Sequence, residues 1–167
     1  MNLLFWKKKE KQSLDTLCWN LMFRATDPDR CWDMASMFRK TSIPGNVLTC
    51  ETSFLMGSIV RDIIRATVPA ELQRQALMSA EAAYFKSFDD ESENELPQEM
   101  ADVYGKIRLG NVARTALSEY GEQNDNLLLT SSIFIHRING DPRMKHEVIP
   151  IFKDRQITLR NAFAKLA

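Results

Sequence analysis

The stretch 46–68, NVLTCETSFLMGSIVRDIIRATV, constrains the fold more than any other part of the chain. Wound as an α-helix at about 100° per residue, it gathers Glu51, Ser58, Arg61, Asp62 and Arg65 into a sector roughly 100° wide. Leu48, Leu55, Met56, Ile59, Val60, Ile63 and Ile64 spread over the remaining arc, joined by the small residues Cys50, Ser53 and Gly57. A helix lying on a protein surface shows the opposite proportions, a narrow apolar stripe on a polar cylinder. The charges on Glu51, Arg61, Asp62 and Arg65 exclude a membrane span, which needs about 20 nearly uncharged apolar residues. The segment therefore reads as the central helix of a bundle, with only a thin charged strip reaching water.

The flanking sequence supplies its neighbours. Leu14, Leu17, Cys18, Leu21 and Met22 share one helical face from Ser13 onward, while Trp19 and Phe23 form a second apolar ridge. Asp27-Pro28 joins a capping acid to a first-turn proline and starts a helix running to about Lys40, burying Cys31, Met34, Ala35 and Phe38. Asn46 or Thr49 is expected to cap the central helix. Pro69 opens a helix to about Phe88, with Leu72, Ala76, Leu77, Ala80, Ala83, Tyr84 and Phe88 as its core stripe. After an acidic loop, a helix from near Pro97 buries Met100, Val103, Tyr104 and Ile107, and Gly110-Asn111 is expected to break it. Val112, Ala116, Leu117 and Tyr120 then face inward as far as Gly121. The run LLLTSSIFIHRI, 127–138, reads as a second buried helix, too short for a membrane span. Asp141-Pro142 starts another helix, Pro150 ends or kinks it, and Phe152, Leu159, Phe163 and Leu166 pack from the last one. The expected architecture is all-α: a tail over 1–12, then one bundle domain over 13–167 of about six to eight helices.

Composition narrows the function classes. The formal net charge is zero, so no global field draws the chain to nucleic acid. Arg137, Arg143, Lys145, Lys153, Arg155 and Arg160 make the C-terminal third basic, but Asp141, Glu147 and Asp154 interrupt them, which disfavours a nucleic-acid face. Cys18, Cys31 and Cys50 are an odd, widely spaced set, as expected of reduced thiols in the cytoplasm. Leu3, Leu4, Phe5 and Trp6, followed by Lys7, Lys8 and Lys9, fit at most a weak peripheral membrane contact.

Phosphate-loop, nucleophile-elbow and helical metal signatures are absent from the sequence, so neither a metal nor another cofactor is expected. The acidic run 89–102 lacks the glycine turn and alternating spacing that calcium requires. Ser132 and His136 share helical spacing without further catalytic context, and no sequence feature brings a histidine to Cys50. What remains is binding. Met78 and Phe85 lie on one side of their helix, away from its core stripe, and with Trp19 and Phe23 they are the expected surface for self-association or another protein partner. The expected function is an intracellular protein-binding or regulatory module. The rival reading is an enzyme or small-ligand carrier whose interhelical pocket uses Asn111, Arg114 and His136.

Overall fold

The computed structural model describes residues 12–38, 42–91, 97–122 and 126–166. Among these residues, eight α-helices and one 3₁₀ turn occur without a strand. The helices are α1 (Leu14–Ala25), α2 (Pro28–Ala35), α3 (Gly45–Thr67), α4 (Ala70–Glu91), α5 (Gln98–Tyr104), α6 (Leu109–Tyr120), α7 (Leu127–Arg137) and α8 (Lys145–Leu166). The protein is an all-α helical bundle, with α3 touching every other α-helix. All residues 51–60 of α3 are buried.

Side-chain caps set four of the helix starts. The Ser13 hydroxyl accepts the Thr16 amide at 3.2 Å, and the Asp27 carboxylate accepts the Arg30 amide at 3.1 Å. Asn126 and Asp141 accept the Leu129 and Arg143 amides in the same way, at 3.2 and 2.8 Å. Each bond satisfies one of the donors that a helix N-terminus leaves open. The central helix differs from the expectation. It begins after Pro44 without a side-chain cap, so neither Asn46 nor Thr49 serves as one. Starting at Gly45 places Thr49 inside the helix, where its hydroxyl donates to the Gly45 carbonyl at 2.8 Å.

Two aromatic clusters fill the core. Phe38, Phe134 and Phe152 meet at centroid distances of 5.3–5.9 Å, joining the segment after α2 to α7 and α8. Phe54, Tyr84 and Phe88 meet on the α4 side of α3, with Phe88 5.2 Å from Phe54 and 4.9 Å from Tyr84. The fully buried Tyr84 donates its hydroxyl to the Ala113 carbonyl at 3.0 Å, anchoring α4 to α6. Its ring lies against Gly57, where a β-carbon would stand 2.6 Å from Cε2. A glycine at that point lets α3 and α4 approach closely.

Several expected details change. The polar break comes at Gly105, whose φ of +75° ends α5, rather than at Gly110-Asn111. Glycine takes that left-handed conformation without a β-carbon penalty, and the chain redirects before α6. Gly110 instead lies in the first turn of α6. Ile107, beyond that turn, consequently leaves the expected core stripe and is exposed; Val103, inside α5, is exposed as well. Leu72 is 41% exposed because it stands at the open start of α4. In α7, Leu128 and Leu129 face outward while Thr130, Ser131, Phe134 and Ile135 face inward, so this helix is buried on one side only. Helix α2 stops at Ala35, though Phe38 is still buried. Pro150 stays inside α8, in its second turn, where proline costs one backbone hydrogen bond without ending the helix.

Candidate functional site

The polar strip of α3 is the largest departure from expectation. Glu51, Ser58 and Asp62 are buried, and Arg61 and Arg65 are half-buried. The strip does not face water because α4, α5, α6 and α7 bring it partners. Glu51, only 2% exposed, is held by Arg137 of α7 through two bonds, Nε to Oε2 at 2.7 Å and Nη2 to Oε1 at 3.0 Å. The Tyr104 hydroxyl of α5 donates to Oε1 at 2.8 Å. Arg137 also bonds Glu119 of α6, and its guanidinium stands 5.7 Å from the Phe54 ring centroid. Further along, Arg61 donates to the Leu117 carbonyl at 3.1 Å and pairs with Glu81 at 3.3 Å. Arg65 bridges Asp62 and Glu122, at 3.2 and 3.3 Å.

Electrostatics follow from that packing. Burial opposes the charge on Arg137, but the bonds and charges of Glu51 and Glu119 outweigh it and hold the guanidinium above its ordinary pKa. Burial, then the Glu51 charge beside it, pushes the Tyr104 phenol far up, so it serves as a hydrogen-bond donor. Three donors on Glu51 take up its lone pairs in a forked geometry that guanidinium is built to supply. Such a carboxylate is committed to holding helices together. The cluster is a lock between α3, α5, α6 and α7.

The expected binding residues sit elsewhere. Trp19 and Phe23 are on α1, Met78 and Phe85 on α4, and these helices lie side by side: Gln75 donates to Asp15 at 2.7 Å, and Lys86 Nζ stands 5.9 Å from the Trp19 ring. Met78 is 63% exposed and Phe23 55%, while Trp19 and Phe85 are half-buried. Arg114 covers Phe85, its guanidinium carbon 4.6 Å from the ring centroid. It is held there by two bonds to Asp89, at 2.9 and 3.1 Å. Asn111, Arg114 and His136 are all exposed, on the outer sides of α6 and α7. Ser132 donates to the Leu128 carbonyl at 2.8 Å. The apolar and basic stretch 3–9 lies outside the described residues.

Two features escaped the sequence. One is the Glu51–Arg137 pair, whose members are too distant along the chain for periodicity to connect. The other is a cavity of about 60 Å³ where α1, α2, α3 and α8 meet, rimmed by Arg24, Arg30 and Arg155. The three arginines come from three helices, and only the clustering of Arg24 and Arg30 around the Asp27-Pro28 turn was visible locally. The buried thiols Cys18 and Cys31 are both pushed up to about 11, burial being the main cause. They are protonated near neutrality and poor nucleophiles. Among the described residues, no helix is long and apolar enough to cross a membrane. Comparison with protein-family models, curated proteins and solved structures finds no match to this chain.

Proposed function

We propose that this chain is a helical protein-binding module whose working surface is the outer face of α1 and α4, with a second copy of itself as partner. The observation that carries this reading is the pairing of α1, which bears Trp19 and Phe23, with α4, which bears Met78 and Phe85. Two large apolar side chains stand in water there, beside two aromatic rings with cations laid against them. Aromatic residues, methionine and arginine are the types enriched at interface centres. Burying Met78 and Phe85 alone contributes about 3 kcal/mol, against about 4–15 kcal/mol lost on association. The whole face, Trp19 and Phe23 included, must therefore join. Cys18, Cys31 and Cys50 form no disulfide among the described residues, which supports residence in the reducing cytoplasm. The alternative, an enzyme or carrier with a pocket at Asn111, Arg114 and His136, has less support, since all three are exposed and Arg114 is engaged by Asp89.

Light scattering on the full chain is expected to show a concentration-dependent dimer. Phe23→Lys with Met78→Lys is expected to give monomers with an unchanged helical spectrum and a melting temperature within about 2 °C of the parent, since exposed sites contribute little to the fold. A parent chain that stays monomeric at high concentration would contradict the reading.

A further inference from the structure

We propose that the cavity between α1, α2, α3 and α8 binds a small phosphate-type oxyanion through Arg24, Arg30 and Arg155. These three guanidiniums rim one opening and form no ion pair with any described residue. Arg61, Arg65, Arg114, Arg137 and Arg143, by contrast, each meet a carboxylate. Three like charges therefore line one opening, and a bound anion would offset them. Asp27, whose charge reaches Cys31 in the cavity lining, accepts the Arg30 amide as the cap of α2.

The turn that carries Arg24 and Arg30 is held in place. Thr26 donates to the Met22 carbonyl at 2.9 Å, Ser53 of α3 donates to the Thr26 carbonyl at 3.3 Å, and the Cys31 thiol donates to the Ala25 carbonyl at 3.5 Å. Those bonds fix the α1–α2 turn on the central helix and set the origin of both Arg24 and Arg30. Arg155 enters from α8. Beneath the rim lie Cys31, Met34, Met56 and Leu159, all buried and apolar. An apolar lining of this kind strengthens the field of the arginines beside it.

Size and valence select the ligand. The cavity of about 60 Å³ exceeds several times the roughly 10–15 Å³ that one water needs, which leaves room for a tetrahedral oxyanion. Each guanidinium presents a planar fork that pairs two oxygens. Three forks exceed what a single carboxylate can accept and suit a phosphoryl group with its several oxygens. Thr158 at the rim adds a hydroxyl. An apolar substituent on the phosphate would rest on the thioether and leucine floor.

Calorimetry on the full chain, with inorganic phosphate, phenyl phosphate and benzoate as probes, tests this. Saturable binding of both phosphates is expected, tighter for phenyl phosphate, and each of Arg24→Gln and Arg155→Gln should weaken it about tenfold or more. Without added anion, these variants should melt at or above the parent temperature in low salt, because repulsion is relieved, and the difference should shrink in high salt. Arg155→Lys, which keeps the charge but loses the fork, carries the test if a glutamine variant fails to fold; its binding should also be weaker. No saturable phosphate binding by the parent up to about 10 mM, which is weaker than the millimolar range, would overturn the proposal. So would parent-like phosphate binding by the arginine variants, or benzoate binding as tightly as phenyl phosphate. Cosedimentation with vesicles containing phosphatidic acid, without binding of the free anions, would overturn the small-molecule assignment.

Discussion

Arg137→Met is expected to destabilise the protein by about 3–5 kcal/mol, the cost typical of breaking a buried ion pair by removing one partner. The melting temperature should fall by roughly 10 °C, at about 2–4 °C per kcal/mol for a chain of this size. The reason is Glu51, which at 2% exposure would keep the Tyr104 hydroxyl but lose both guanidinium bonds. Adding Glu51→Leu in the same chain should recover a large part of the loss, because it removes the stranded charge and fills the space with apolar atoms. Glu119→Gln should cost little, since the Glu119 side chain is half in water. Thermal denaturation of the parent, Arg137→Met, Glu51→Leu and the chain carrying both closes a double-mutant cycle. A loss in the double variant equal to the sum of the two single losses would mean that Glu51 and Arg137 act independently.

Gly57→Leu is expected to cost at least about 3 kcal/mol, at the upper end for overpacking a core. A β-carbon there already intrudes on the Tyr84 ring, at 2.6 Å from Cε2 and 2.8 Å from Cδ2. The ring cannot swing aside freely, because its hydroxyl is bonded to the Ala113 carbonyl and Phe88 packs against it. Alanine would gain about 1 kcal/mol of helix propensity over glycine, so Gly57→Ala should lose less. Pairing Gly57→Leu with Tyr84→Ala should restore some stability by vacating the space. Chemical denaturation of these variants provides the measurement; a Gly57→Leu protein as stable as the parent would show that α3 and α4 are not in close contact at this point.

Most of the helix map was legible because it depends on local chemistry. The wide apolar arc of residues 46–68 identified the central helix, and Asp27-Pro28 and Asp141-Pro142 marked two starts through caps that act within one turn. Exposure was less legible wherever a distant segment decided it. Glu51 and Asp62 read as solvent-facing because periodicity assigns a face but does not reveal what covers it; Arg137, Tyr104 and Arg65 provide the cover. Ile107 was placed inside on the assumption of a helix continuing to Gly110, and the left-handed turn at Gly105 removed that assumption. The three cavity arginines carry no common pattern along the chain, since each belongs to a different helix.

The central claim, that the α1–α4 face is the working surface, is tested most directly by nuclear magnetic resonance of methionine methyl groups across a concentration series. Met78, exposed on α4, should shift and broaden progressively as the protein is concentrated. Met34 and Met144, buried on α2 and in the 3₁₀ turn, should remain in place. The Phe23→Lys and Met78→Lys chain should show no concentration dependence at its remaining methionines. A Met78 signal that is constant to the highest attainable concentration, or changes centred instead on Met37 beside α2, would contradict the claim.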